Sequence, residues 1–204
     1  MSGLFIVFEG IDGSGKTTQI NLLKDNLFNL GYQVVLTREP GGTRISELIR
    51  DVLLNPDNKD LYAGAEALLY AAARSQHIEE KIKPALSMGK IVLCDRFTDS
   101  TLAYQGYGRG QDLNYLQKLN HLATGGLQPD LTFLLDLPVQ ESLERLNRRI
   151  SIDRLEQENM VFYERVRSGY LKISCQNQNY YVMDARLEPR QLSREVLGIV
   201  EEYL

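Results

Sequence analysis

The chain has 204 residues, 43% of them apolar, enough to bury a core and near the upper end of the size usual for one domain. Charged residues make up 25% and the formal net charge is -4, which excludes a protein held to nucleic acid or to an acidic membrane by a general positive field. Any anionic ligand must be met locally, and arginines are the local means.

Met1-Ser2-Gly3 leads directly into the apolar run Leu4 to Glu9, which reads as a first strand; the run is too short for a signal segment and has no basic flank. Gly10-Ile11-Asp12-Gly13-Ser14-Gly15-Lys16-Thr17 follows at once, a full G-x-x-x-x-G-K-T match between a strand and a helix. Glycines there let backbone N–H groups and the positive end of the next helix point at an anion. Lys16 is expected to reach the β- and γ-phosphates of a nucleotide, and the Thr17 hydroxyl to ligate the Mg²⁺ that ATP brings. With Thr18, residues 10–18 form the expected ATP-binding cradle. The motif alone does not separate a kinase from a GTPase or a motor.

A helix is expected over Lys16 to Leu30, ending at Gly31, and a second strand over Tyr32 to Thr37. In Thr37-Arg38-Glu39-Pro40-Gly41-Gly42-Thr43, proline and glycines force a turn that leaves Arg38, with Glu39 beside it, at the mouth of a sheet, where a guanidinium suits a monophosphate. The helix Ile45 to Leu54 carries Arg50, a weaker candidate for the same phosphate. Ala63 to Ser87 is alanine-rich and helical, with Pro84 kinking it or opening a new turn. Tyr70 and Arg74, four residues apart, share one helix face, and the alanines between them leave space for a base.

The third strand, Ile91 to Asp95, ends in Asp95-Arg96-Phe97. Asp95 could hold Mg²⁺ through water, and Arg96 could bridge donor and acceptor phosphates. Thr98 to Gly110 is dense in hydrogen-bonding groups and glycine; it reads as a substrate-lining segment in which Ser100, Tyr104 and Gln105 face sugar or base. A helix over Asp112 to Ala123, a strand over Leu131 to Asp136 and a helix over Pro138 to Arg148 come next. The run 146–154 gathers Arg148, Arg149 and Arg154, and a basic lid is expected at about 147–155, excluding water and neutralising charge. A helix over Gln157 to Ser174, a strand over Asn179 to Met183 and a helix over Pro189 to Leu204 complete the chain. Strands alternating with helices predict a parallel sheet covered on both faces, with ligands at the carboxyl ends of the strands. No run reaches membrane-spanning length, and Cys94 and Cys175 lack the spacing of a disulfide framework or metal site. A single cytoplasmic domain over residues 1–204 is the expectation.

The segments from Phe8 to Thr18 and from Thr37 to Thr43, then Asp95-Arg96-Phe97, Ala103-Tyr104-Gln105-Gly106 with Gly108-Arg109-Gly110, and Gln128-Pro129-Asp130-Leu131 closely resemble, in this order, the bacterial thymidylate kinases. That resemblance implies a P-loop NTPase fold, an α/β three-layer sandwich on a five-stranded parallel sheet, and transfer of the γ-phosphoryl of ATP to dTMP with Mg²⁺. It implies that Tyr70 stacks on thymine, Arg74 bonds the base edge, and Arg38 and Arg96 grip the acceptor phosphate. Asp12 is similar to the family carboxylate that faces the acceptor. Gly13 stands where another branch of the family has a loop arginine, so the guanidinium on the transferred group would come from Arg149 or Arg154. Asp184-Ala185-Arg186 resembles the segment along the adenine, and a homodimer is implied. A kinase for another nucleotide or a deoxynucleoside remains the nearest alternative. A guanine-reading switch would need N-K-x-D, which the sequence lacks.

Overall fold

A computed structural model describes residues 3–146 and 154–204. The expected lid at 147–155, Arg149 included, lies outside the described residues apart from Arg154 and Leu155. Five strands, β1 (Phe5–Glu9), β2 (Val34–Arg38), β3 (Ile91–Asp95), β4 (Leu131–Asp136) and β5 (Tyr180–Asp184), form one parallel sheet in the order β2-β3-β1-β4-β5. β1 is buried along its whole length, as a near-continuous apolar run in the middle of a parallel sheet should be. In chain order the α-helices are α1 (Lys16–Asn29), α2 (Arg44–Leu54), α3 (Ala63–His77), α4 (Lys83–Ser87), α5 (Thr98–Thr101), α6 (Leu113–Thr124), α7 (Val139–Leu146), α8 (Met160–Ser174) and α9 (Pro189–Glu201).

Alternation of side chains along the strands divides the core between two faces. Ile6, Phe8, Leu93, Phe133 and Leu135 cluster with Ile20, Leu23 and Leu27 of α1 and Leu192, Val196 and Val200 of α9. On the opposite face Phe5, Val7, Val92 and Cys94 meet Ile78 and Ile82, while Leu134 clusters with Tyr163, Val166 and Tyr170 of α8. The result is the helix–sheet–helix sandwich expected. Side chains cap helix starts: Thr43 accepts from the Ser46 N–H, Asp112 from Tyr115 and Asn159 from Phe162.

Two stretches depart from the periodicity. The helical run from Ala63 passes through a π-helical segment, Ile78–Ile82, before α4, and Pro84 sits in the first turn of α4, which continues that run. Thr98 to Gly108, for which no helix is expected from so many glycines and polar groups, is helical: α5 runs into a second π-helical segment, Leu102–Gly108.

Candidate active site

All five strands run the same way, so their carboxyl ends share one edge, and β1 delivers the glycine loop to its middle. Gly10 has φ 136°, and a Cβ there would lie 2.6 Å from the Leu135 carbonyl of β4; only glycine lets the chain leave the strand so close to its neighbour. Gly13, at φ 76°, passes similarly near the Ser142 carbonyl. From α7 the Ser142 hydroxyl donates to the Asp12 carbonyl at 2.6 Å, and Arg145 Nη1 to that of Gly13 at 3.2 Å. Lys16 Nζ donates to the carbonyls of Gly10 and Ile11, each at 3.0 Å. Burial and the Arg96 charge push its ammonium down to about 8 against the pull of Asp95, Asp12 and Glu9.

The Thr17 hydroxyl lies 3.2 Å from Asp95 Oδ2, and both residues border the cavity lined by Gly13, Gly15, Lys16 and Thr18. Paired hard oxygens beside a phosphate loop fit Mg²⁺, which binds through one or two protein oxygens, waters and substrate phosphates. Ser14 Oγ is buried with no hydrogen-bond partner among the described residues. Gly10, Ile11 and Ser14 build the loop from beneath and do not line the cavity.

Arg96 occupies the left-handed region, φ 69°, which costs a non-glycine residue of order 1–3 kcal/mol and persists where surroundings over-determine it. They do so here. Its N–H donates to the Phe8 carbonyl, Nη1 donates to Gly10 O and Tyr170 Oη at 2.9 and 3.0 Å, and Nη2 to Asp12 Oδ1 and Tyr104 Oη at 2.6 and 3.1 Å. Burial would raise the Asp12 carboxyl, yet Arg96, Lys16 and the Tyr104 hydroxyl hold it well below the carboxylate range. Buried Glu9, the last residue of β1, accepts from the Phe97 N–H, the Ser100 hydroxyl and Tyr170 Oη at 2.7, 2.6 and 2.9 Å.

A second cavity adjoins the first. Asp12, Glu39, Arg50, Tyr70, Arg74, Arg96, Ser100, Tyr104 and Gln105 line it together with Pro40, Leu54, Phe97, Thr101 and Leu155. Arg74 is fixed by Glu39 Oε2 (2.7 Å), Asn120 Oδ1 (2.7 Å), the Phe97 carbonyl (3.0 Å) and Thr101 Oγ1 (3.1 Å), and Glu39 also meets His77 Nδ1 at 3.1 Å. Arg50 donates to the Pro40 carbonyl at 2.8 Å. Asp12, Glu39, Arg50 and Arg96 border both cavities.

Arg38 stands apart from the other expected acceptor contacts: it borders only the phosphate-loop cavity, exposed and paired with Glu47 at 3.1 Å. Arg154 lines neither cavity. It is turned to buried Glu66 and to the Leu53 carbonyl, which departs from its expected place over the transferred group. Arg186 chelates Asp184 at the end of β5 and borders a separate hollow with Asp136 and Arg167.

The Thymidylate kinase family model matches residues 8–196. The chain belongs to the thymidylate kinase family. It is 54% identical to the thymidylate kinase of Pelotomaculum thermopropionicum, covering 100% of this chain and 95% of the relative, and 55% identical to that of Desulforudis audaxviator, covering 90% and 83%. The crystal structure of thymidylate kinase from Ehrlichia chaffeensis superposes with a TM-score of 0.81 at 38% identity, over 98% of this chain and 100% of that one.

For this member of the thymidylate kinase family, sequence reasoning singled out the loop and the strand ends and missed the residues that hold them. Arg145, just ahead of the basic run, carried no expected role; it donates to the Gly13 carbonyl and borders the phosphate-loop cavity. Glu9 carried one signal, a carboxylate closing an otherwise apolar strand. Glu66 carried none, because its partners Gln105, Arg109 and Arg154 lie 39, 43 and 88 residues away.

Proposed function

We propose that this chain transfers the γ-phosphoryl group of ATP to dTMP, giving dTDP and ADP. The observation that carries the reading is the pair of adjoining cavities: one is built by the phosphate loop, the other lined by Tyr70, Arg74 and Gln105, and Asp12 and Arg96 stand on their shared border. Family membership supplies the activity and the geometry supplies the parts.

The triphosphate lies in the loop cavity, with Lys16 exchanging the Gly10 and Ile11 carbonyls for β- and γ-phosphate oxygens. Thr17 and Asp95 would hold Mg²⁺, which neutralises charge on the phosphates. The acceptor's base rests on Tyr70, and Arg74, immobilised by Glu39 and Asn120, presents a fixed plane to its edge. Arg96 meets the acceptor phosphate, assisted from the loop cavity by Arg38, with Arg50 on the same side. Asp12 keeps Arg96 oriented and, remaining ionised, faces the sugar. Such a site works by alignment and charge stabilisation. Because no arginine lies between Gly10 and Gly15, we assign the guanidinium on the transferred group to Arg149. Arg186 is placed along the adenine, since it follows the last strand at the same edge of the sheet.

Measuring ADP release with dTMP, dUMP, dCMP, AMP and thymidine in turn tests the reading; dTMP should give the highest kcat/KM. Lys16→Ala should lower kcat by about 10²-fold or more with the fold intact, as expected for a group acting on transition-state charge. Preference for another acceptor, or near-normal turnover by that variant, would refute the substrate or the role of Lys16 respectively.

A homodimer is part of the same proposal: α2, α3 and α6 pack side by side and leave Leu48, Val52, Leu68 and Leu122 exposed, an apolar surface suited to a second copy. So is a cytoplasmic setting, to which the free thiols Cys94 and Cys175 are suited. Among the described residues no helix is long and apolar enough to cross a membrane.

A further inference from the structure

Three side chains from distant parts of the chain converge on Glu66, a fully buried carboxylate in the first turn of α3. Its Oε1 accepts from Gln105 Nε2 at 2.8 Å and Arg109 Nε at 2.7 Å, and its Oε2 accepts from Arg154 Nη2. Arg109 continues to Glu158, Nη1 donating to Oε1 at 2.9 Å. Arg154 is held twice more, its Nε on the Leu53 carbonyl at 2.8 Å and its amide on that of Leu54 at 3.1 Å. Burial raises the Glu66 carboxyl, but Arg109, Gln105 and Arg154 overcome it and the group stays ionised.

A buried charge network is weak as a source of stability, because apolar residues of similar volume often do as well. What it does supply is a fixed relative position for its members. Here one member, Gln105, lines the acceptor cavity, and the segment between Arg154 and Glu158 carries Leu155, which lines the same cavity, and Glu156, which borders that of the phosphate loop. Segment 154–158 is therefore fastened at both ends, through Arg154 and through Glu158, to the carboxylate that orients Gln105.

We propose that Glu66 is a positioning residue that locks Gln105 and segment 154–158 together, so that one carboxylate sets both the acceptor-base contact and the wall formed by Leu155 and Glu156. Arg154 accordingly anchors this wall and does not reach the transferred phosphoryl. The proposal rests on the kinase reading above and adds to it a residue outside both cavities.

The test combines steady-state kinetics with amide hydrogen exchange on wild type, Arg154→Ala, Glu66→Gln and the double variant. Each single change should raise the KM for dTMP about tenfold and leave the KM for ATP within about twofold, and the double variant should be no worse than Glu66→Gln, the non-additivity of residues acting as one unit. Exchange should quicken at residues 154–158 and stay unchanged at 10–17. Arg154→Ala leaves Glu66 its other two partners, so it decides the matter alone if Glu66→Gln does not fold. A fall in kcat with the dTMP KM unmoved would assign Arg154 to charge neutralisation and overturn the proposal. Additive effects, or lower thermal stability with KM and exchange unchanged, would overturn it too. Absence of dTMP-dependent ADP release by wild type would sink the kinase reading instead, and the exchange measurements would still judge Glu66.

Discussion

In the proposed donor site, Lys16 is the residue whose protonation matters most. Its ammonium, pushed down to about 8 by burial and by Arg96, loses its charge as pH rises through that value, and only the charged form pairs with phosphate. kcat/KM for ATP, which reports the free protein, should therefore fall about tenfold per unit above roughly pH 8. kcat should hold to higher pH, because bound phosphates favour the charged lysine. A pH–rate series with ATP limiting checks this, and a flat kcat/KM up to about pH 10, near the ordinary lysine value, contradicts it. Residues of this kind were legible: Lys16 and Thr17 sit in one contiguous motif, and Asp95-Arg96 closes an apolar strand. Glu9 and Glu66 escaped notice because the partners that justify a buried charge are far along the chain, and isolated glutamates look the same as solvated ones.

Among the elements, the strands were legible to within two residues, since each is a short apolar run stopped by polar or glycine-rich chain, and β2 begins at Val34 only slightly inside its expected start. The π-helical segment Leu102–Gly108 was not, because glycine and hydrogen-bonding side chains argue against a helix in isolation and tertiary packing reverses the preference. That packing is close. A Cβ on Gly169 of α8 would lie 2.6 Å from the Tyr107 ring, and one on Gly108 2.7 Å from that of Phe162. Gly169→Ala should gain about 1 kcal/mol of helix propensity and lose roughly 1–3 kcal/mol to overpacking, leaving the protein less stable. Gly198→Ala, in α9 with nothing within 4 Å of the added carbon, should stabilise by about 0.4–1 kcal/mol. Urea unfolding of the two variants separates these signs; equal effects would mean that the contact of the π-helical segment with α8 is slack.

On the scale of the whole molecule, α2, α3 and α6 expose Leu48, Val52, Leu68 and Leu122, the side chains on which the proposed pairing of two copies rests. Sedimentation at micromolar concentration should give about twice the mass of one chain, as closed two-fold pairs are the commonest assemblies. Leu68→Asp should yield single chains, and a wild-type monomer would remove the homodimer from the reading. Net charge and composition pointed to locally met anions, and arginines line both cavities, but no sequence pattern displayed the apolar side chains exposed on three helices. The strand order has its own consequence. β1 lies between β3 and β4, tied by ladders on both sides, so the strand that delivers the phosphate loop to both cavities cannot shift without breaking hydrogen bonds. An inhibitor that joins a thymine head to an adenine tail would meet a ruler of constant length, and the number of atoms in its tether, more than their suppleness, would decide how tightly it holds.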